Sequence, residues 1–257
     1  MKRNRIASKF KVGLQHISKK EVCHDRAQAV KIGNITILAL ADGMGCPAFR
    51  CPEIGAQFAT DYIRNNGIKL YKLLKKAAII NDQGNFIFKD KDQADNFMEQ
   101  FTAWLFDMNF EAHSFAKNIG VDLNDLHCTL SFAIIGPEFF ITASIGDSPV
   151  YLTQNGKTTM VYGNGDIRIV DQGTNSAFNI TRSIHEIDVA IGATNSLDSI
   201  LMISDGCLGF EKVEELALDS TPKWFDDVRD GKMTDDEAIN HLVNIGYDDC
   251  SFAYFIN

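Results

Sequence analysis

The sequence has no hydrophobic run of the length found in membrane-spanning proteins. Its longest apolar stretches, such as 35–41 and 132–135, are far shorter than the ~18 residues that a membrane helix needs. The first twenty residues carry seven lysines and arginines and no acid, but no apolar segment follows them as it would in a secretory signal. We therefore expect neither membrane insertion nor secretion.

The cysteines lack the spacing of a disulfide framework or a zinc finger. There are six, at positions 23, 46, 51, 128, 207 and 250, and none forms a CxxC pair. Free thiols in a reducing cytoplasm are the expected state. An excess of acids over bases, 34 against 25 with a net charge of −9, argues against nucleic acid as the main partner.

No internal repeat, low-complexity tract or Pro/Gly/Ser-rich linker divides the chain, which has only five prolines. We expect one domain over residues 1–257, with the basic residues 1–8 as a flexible arm or an edge strand. A hydrophobic content of 45% is sufficient for a sizeable core.

Short β-type runs rich in Ile, Val, Thr and Phe dominate the pattern, and blocks of helix lie between them. Strands are predicted at about 9–17, 34–41, 128–135, 138–145, 149–153, 158–163, 187–191, 199–204 and 250–256. Helices are predicted at about 53–64, 68–80 and 93–118, and another begins at the capping box of Thr234 and ends at Gly246. Strands joined by short turns indicate an α+β fold, with antiparallel sheets covered by helices.

Two apolar runs end in the same dipeptide. "NITILALADGMG" reaches Asp42-Gly43, and "SILMISDGCLGF" reaches Asp205-Gly206. An Asp-Gly pair after a strand is most often a tight turn, because glycine accepts positive φ and aspartate bonds its own backbone. A carboxylate aimed from the end of a buried strand is the alternative for each pair.

Three further aspartates adjoin predicted strand ends, namely Asp25, Asp147 and Asp248. Mg²⁺ and Mn²⁺ prefer oxygen ligands, and rigid strand ends are suitable positions for them. Carboxylates packed together without a cation would repel one another at a cost of several kcal/mol. The spacing leaves two possibilities, dispersed turn residues or a metal site.

An ordered set of motifs resembles that of the metal-dependent PPM-type, or type 2C, serine/threonine protein phosphatases. The motifs are "ALADGMG", "GDSPVYL", "LMISDGCLGF" and "DDCSFAYF", with "PEIGAQFA", "HCTLSFAII" and "NITRSI" at corresponding places, and the resemblance runs from position 20 to the C-terminus. It implies a layered αββα sandwich of two antiparallel sheets flanked by helices.

The resemblance also implies a ligand set for two Mg²⁺ or Mn²⁺ ions. Asp42 matches the bridging aspartate, and the Gly43 carbonyl matches a ligand of one ion. Asp205 and Asp248 match the carboxylates of the other ion. Asp25 matches the end of the family's Glu-Asp motif, which reaches the first ion.

Two more positions follow from the same resemblance. Asp147, together with Asp205, would hold a third and weaker metal. Lys20 occupies the place where the family commonly has an arginine that binds the substrate phosphate. The implied reaction is hydrolysis of phosphoserine or phosphothreonine in a phosphoprotein, by direct attack of a metal-bridging hydroxide.

The chain departs from the family pattern at several positions. Lysine at position 20 keeps the charge of arginine but loses its bidentate fork, so we expect weaker phosphate binding. The other departures are His24 for a glutamate, Met44 with no histidine there to serve as a general acid, Cys46 and Pro47 for a glycine-rich continuation, and Pro149 for an arginine.

These departures keep other functions open. The first is a pseudophosphatase that binds a phosphoprotein without turnover, the second a phosphatase of small phosphate esters, and the third an acidic structural protein whose Asp-Gly pairs are only turns. Cysteines near the proposed ligands, together with His24, keep a Zn²⁺ site or a redox-sensitive site open as a further function. Such cysteines are more commonly small buried hydrophobic residues. We interpret His16, His113, His185 and His241 as surface or satisfied core residues.

Overall fold

The computed structural model describes residues 4–45, 49–161, 177–178, 187–208, 219–246 and 248–257. In these ranges the chain forms twelve strands and five α-helices. The strands are β1 (Arg5–Lys11), β2 (Arg26–Ile32), β3 (Ile35–Ala41), β4 (Ala78–Ile80), β5 (Phe86–Phe88), β6 (Leu130–Ile135), β7 (Phe139–Ile145), β8 (Val150–Gln154), β9 (Lys157–Val161), β10 (Asp188–Ala193), β11 (Leu197–Ile203) and β12 (Cys250–Ile256). The helices are α1 (Leu14–Lys19), α2 (Pro52–Ala77), α3 (Lys91–Ile119), α4 (Lys223–Arg229) and α5 (Asp235–Ile245).

Ten of these strands form two five-stranded antiparallel sheets. The first sheet has the order β1-β12-β11-β8-β9, and the second has the order β10-β7-β6-β3-β2. β4 and β5 form a separate hairpin. The predicted layered arrangement of two antiparallel sheets flanked by helices is confirmed.

Alternating side chains of the strands supply three apolar layers. In β3, Leu38 and Leu40 pack between the two sheets, and the residues that alternate with them face α2 and α3. In β11, Ile200 and Met202 enter the same central layer, whereas Leu201 packs toward α4 and α5. Because both faces of each sheet are covered, β3 after Thr36 and β11 after Ser199 are apolar at every position, which explains why these parts of their sequences lack alternation.

Several predicted boundaries are corrected by the structure. Residues 14–19 form α1 instead of continuing the predicted strand at 9–17, since the chain turns at Gly13. The predicted helices 53–64 and 68–80 are one helix, α2. The helix runs through Gly67, where a Cβ would lie only 3.2 Å from Ile134 and Ile37, so the missing side chain lets the helix pack closely on the sheet.

The basic N-terminal segment contributes to the first sheet. Arg5–Lys11 pairs with β12 along its full length, so residues 5–8 belong to an edge strand and not to a flexible arm. Exposed basic side chains are a usual feature of edge strands, where they discourage further pairing. Within the part of the chain that the structure describes, every helix is too short or too polar to traverse a bilayer.

Candidate metal centre

The antiparallel topology brings four strand ends to one end of the sandwich. In the second sheet, Arg26 at the start of β2 pairs with Ala41 at the end of β3. Asp25 and Asp42 are the next residues outward on these two neighbouring strands. The pairing therefore places the two carboxylates side by side at the rim of the sheet.

The first sheet provides the matching pair. Ile203, the last residue of β11, pairs with Phe252 of β12. Asp205 follows β11 and Asp248 precedes β12, so they also share a rim. Asp147 lies in the connection between β7 and β8, where the chain passes from one sheet to the other.

The five aspartates are electrostatically linked in the structure. The Asp42 carboxyl lies within hydrogen-bonding reach of Asp25 on one side and Asp205 on the other. Asp205 in turn faces Asp248, and Asp147 lies close enough to Asp42 to repel it. Asp25, Asp205 and Asp147 thus act on Asp42, and Asp248 joins this set through Asp205.

Burial and the neighbouring carboxylates shift Asp25, Asp42 and Asp205 toward the neutral form. Desolvation raises the pKa of Asp42 well above its ordinary value, and the charges of Asp25, Asp205 and Asp147 add to the effect. The Asp205 side chain borders solvent, but the protein atoms packed around it still remove enough water to raise its pKa. A cluster with this electrostatic character is stabilised by a cation.

Asp25 provides the test of whether a metal ion fits. It is completely buried, and desolvation raises its pKa to about 7. The hydroxyls of Ser204 and Ser251 are near enough to counter that rise in pKa in part, but neither carboxylate oxygen of Asp25 has a hydrogen-bond partner of good geometry. A buried carboxylate with both oxygens unsatisfied is unusual in proteins. The donor set therefore fits a hard divalent cation such as Mg²⁺ or Mn²⁺.

The backbone around Asp42 is fixed by Thr129. The Asp42 N–H donates to Thr129 Oγ1 over 3.0 Å, and the Thr129 N–H donates to the Asp42 carbonyl over 2.8 Å. Thr129 Oγ1 also lies 2.9 Å from Ser148 Oγ, next to Asp147. Gly43 continues this edge in an isolated β-bridge with Cys128. The carbonyl predicted to bind a metal is therefore held in a rigid segment.

Asp249 is a structural residue that the sequence analysis missed. Its Oδ1 accepts the Gly13 N–H over 2.7 Å, and its Oδ2 accepts the His24 N–H over 2.5 Å. It is 3% exposed, whereas more than half of the Asp248 side chain is exposed. The two neighbours have different roles because successive residues of an extended chain point to opposite sides. Asp249 ties the segment before Asp25 to the start of β12.

Gly206 allows the two strand ends of the first sheet to approach each other. A Cβ at this position would lie 1.9 Å from the Asp249 carbonyl oxygen, so no other residue fits without moving the backbone. The glycine of the second Asp-Gly pair is thus required by close contact, and not by a positive φ.

Lys20 is placed apart from the carboxylates. It is exposed at the end of α1, in the left-handed conformation with φ 61°. Within the described residues its side chain forms no ion pair with the five aspartates. The departures at Cys46 and Pro47, and the "NITRSI" segment at 179–184, lie outside the described residues.

Of the two readings left open for His16, surface or core, the structure places it in the core. His16 is 3% exposed, and its Nδ1 lies 2.8 Å from Asp249 Oδ2. The ring centroids of His16 and His24 are 4.2 Å apart. His113 and His241 are exposed, in agreement with their interpretation as surface residues, and His185 lies outside the described residues.

The cysteines near the centre behave as small buried hydrophobes. Burial raises the pKa of the Cys128 thiol, and desolvation with a neighbouring acid raises that of Cys23. Cys207 Sγ donates to the Ser251 carbonyl over 3.1 Å, and Cys250 Sγ donates to the Gly206 carbonyl over 3.3 Å. Neutral thiols that donate to backbone oxygens are poor metal ligands and poor nucleophiles.

Comparisons with known proteins agree with this geometry. The sequence profile of the family "Protein phosphatase 2C" matches residues 12–241. A bacterial serine phosphatase superposes with a TM-score of 0.62 at 17% identity, covering 99% of this chain and 98% of its own. Serine/threonine phosphatase Stp1 from Staphylococcus aureus gives a TM-score of 0.60 at 15% identity, over 100% of this chain and 96% of its own.

A third solved structure contains metal ions. The catalytic domain of the serine/threonine protein phosphatase PstP, in complex with two manganese ions, gives a TM-score of 0.59 at 16% identity. The alignment covers 98% of this chain and 97% of that one. The comparison with curated protein sequences gives no significant match.

Proposed function

The chain belongs to the protein phosphatase 2C family, and from this premise we propose that it hydrolyses phosphoserine and phosphothreonine in proteins with the help of two Mg²⁺ or Mn²⁺ ions. The observation that carries the proposal is that Asp25, Asp205 and Asp147 all act on the Asp42 carboxyl, while both oxygens of the buried Asp25 carboxylate lack a hydrogen-bond partner. The phosphatase PstP, with its two manganese ions, supports the choice of cofactor.

Each residue of the centre has a proposed part in holding the ions. Asp42, whose carboxyl interacts with both Asp25 and Asp205, would be a ligand shared by two cations. The Gly43 carbonyl and Asp25 would complete one coordination shell, and Asp205 and Asp248 the other. Asp147 lies in the connection between the two sheets, close enough to Asp42 to repel its carboxyl. It would assist a weaker third ion.

When bound, two divalent cations would activate a water at neutral pH and offset the charge of the phosphoryl oxygens. The contribution of the protein is then mainly position and electrostatics. The strand ends fix the carboxylates in a rigid arrangement, and Lys20 offers a point charge at the exposed end of α1 for a phosphate oxygen. No side chain is required as a nucleophile.

The experiment measures hydrolysis of p-nitrophenyl phosphate and of a phosphothreonine peptide by the full chain, with Mn²⁺, Mg²⁺ or EDTA. The variants are Asp42→Asn and Asp205→Asn, and the matched control is Asp107→Asn, an exposed aspartate of α3. We expect metal-dependent turnover that both centre variants lose, by at least about a hundredfold, and that the control keeps.

Other outcomes separate the alternatives. Metal and phosphopeptide binding without any turnover would favour the pseudophosphatase, whose motivation is the absence of an arginine at Lys20 and of a glutamate at His24. Turnover of p-nitrophenyl phosphate and of small esters alone would favour a metabolite phosphatase. A folded protein that binds no divalent ion in calorimetry would contradict the metal centre itself.

A further inference from the structure

We propose that His16, Glu21 and His24 form a second metal site, with Zn²⁺ as its occupant, next to the carboxylate centre, whose Asp248 Oδ1 lies 3.9 Å from His16 Nδ1. Each of the three residues offers one ligand atom, and these atoms all lie within 4.8 Å of one another. His16 Nε2 lies 3.7 Å from Glu21 Oε2. Two imidazoles and one carboxylate are a common protein ligand set for zinc.

His16 Nε2 and His24 Nδ1 both lie near Gly45. A Cβ built on Gly45 would lie 3.8 Å from His16 Nε2 and 4.0 Å from His24 Nδ1. The absence of a side chain at Gly45 therefore leaves space in front of both nitrogens. His24 Nδ1 is buried and has no hydrogen-bond partner, although buried ring nitrogens are normally satisfied. A metal ion is a partner that would satisfy it.

His16 is supported from behind in the manner of a metal ligand. Its side chain is 4% exposed, and its Nδ1 lies 2.8 Å from the buried Asp249 Oδ2. The contact is close, although it lacks the alignment of a hydrogen bond. A carboxylate beside one ring nitrogen orients the imidazole and leaves the other nitrogen for the metal. Asp249 is itself fixed by the backbone N–H groups of Gly13 and His24.

The chemistry of the ligands distinguishes this site from the aspartate centre. Imidazole nitrogens favour Zn²⁺, whereas a set of oxygen atoms alone favours Mg²⁺ and Mn²⁺. A second arrangement, in which His16 Nδ1 joins Asp248 and Asp249, is also within range. It uses the nitrogen that faces Asp249 and omits Glu21 and His24, so variants can separate the two. Among the described residues, neither arrangement contains a cysteine.

The experiment titrates Zn²⁺ into the metal-free full chain in competition with a chromophoric chelator. Glu21→Gln and His24→Gln test the site. The Glu21 side chain is substantially exposed, so its replacement leaves the packing of the fold intact. His241→Gln, an exposed histidine of α5, is the matched control, and Asp205→Asn tests the separation from the aspartate centre. Thermal melts verify that every variant is folded.

We expect one tight Zn²⁺ per chain, weakened at least about tenfold by Glu21→Gln and by His24→Gln and unchanged in His241→Gln and Asp205→Asn. With Co²⁺ as the probe, the intense visible absorption of a low-coordinate site should disappear in the same two variants. Equal Zn²⁺ affinity in all proteins would overturn the proposal. Loss of binding in Asp205→Asn, or only in Asp248→Asn, would also overturn it, because the ion would then belong to the aspartate centre or to the alternative arrangement.

Discussion

Binding of Mn²⁺ to the aspartate centre should release protons near neutral pH. The metal-free carboxyl groups hold protons that a bound cation must displace. With a pKa of about 7, Asp25 is half protonated at pH 7 and contributes about half a proton. Asp42, whose pKa is raised by desolvation and by three neighbouring aspartates, adds to that number.

The size of the effect follows from the same groups. Each proton displaced changes the apparent affinity about tenfold per pH unit. Between about pH 5 and pH 6, below the pKa of about 7 of Asp25, the Mn²⁺ affinity should rise about tenfold, and the raised pKa of Asp42 adds to this rise. The His24 side chain adds no proton at pH 7, because desolvation and the neighbouring His16 lower its pKa.

The assay is isothermal titration calorimetry at one pH in two buffers that have different ionisation enthalpies. The difference in measured enthalpy gives the number of protons released. Asp25→Asn should release about half a proton fewer at pH 7. Between about pH 4 and pH 7 the folded, metal-free protein binds more protons than the unfolded chain, so its stability falls as the pH rises. In Asp25→Asn this fall in stability should be smaller. Identical enthalpies in both buffers would refute the reasoning, because the cluster would then already be ionised.

Three further predictions concern the scaffold. Gly206→Ala should lower the unfolding free energy by about 1–3 kcal/mol and weaken Mn²⁺ binding, because its Cβ would collide with the Asp249 carbonyl; unchanged calorimetric affinity would contradict this. Phe225→Ala, which removes a fully buried side chain of α4, should cost about 3–5 kcal/mol in denaturant unfolding without changing the Mn²⁺ affinity of the folded protein. Asp125, whose pKa Arg50 lowers to about 2, should stabilise the fold above about pH 4 and lose this effect as the pH falls toward 2, and acid titration of Asp125→Asn should lack that transition.

The sequence predicted the centre because its signals are local. An apolar run followed at once by an aspartate marks a strand end, and Asp42 and Asp205 both lie where that pattern indicated. The order of the motifs supplied the remaining partners of the cluster. Which residue of the Asp248-Asp249 pair faces the cluster depends on the register of β12, which sequence alone does not determine.

The missed features depend on contacts between distant segments. His16 is unremarkable in the sequence of a six-residue helix, and it becomes buried only because β12 and the segment before β2 close over it. The strand predicted at 9–17 was wrong for a similar reason. Gly13 must turn the chain where its N–H reaches Asp249, a contact across 236 positions.

The location of the aspartates at strand ends reconciles rigidity with ion access. In the middle of a strand, a carboxylate would enter one of the three apolar layers and would be sealed from solvent. At the rim, the backbone pairing of β2 with β3 and of β11 with β12 still fixes each residue, while Asp205 and Asp248 border water. The repulsion between the carboxylates is therefore confined to one end of the sandwich, where a cation can enter and offset it. The three apolar layers that stabilise the fold contain none of these carboxylates.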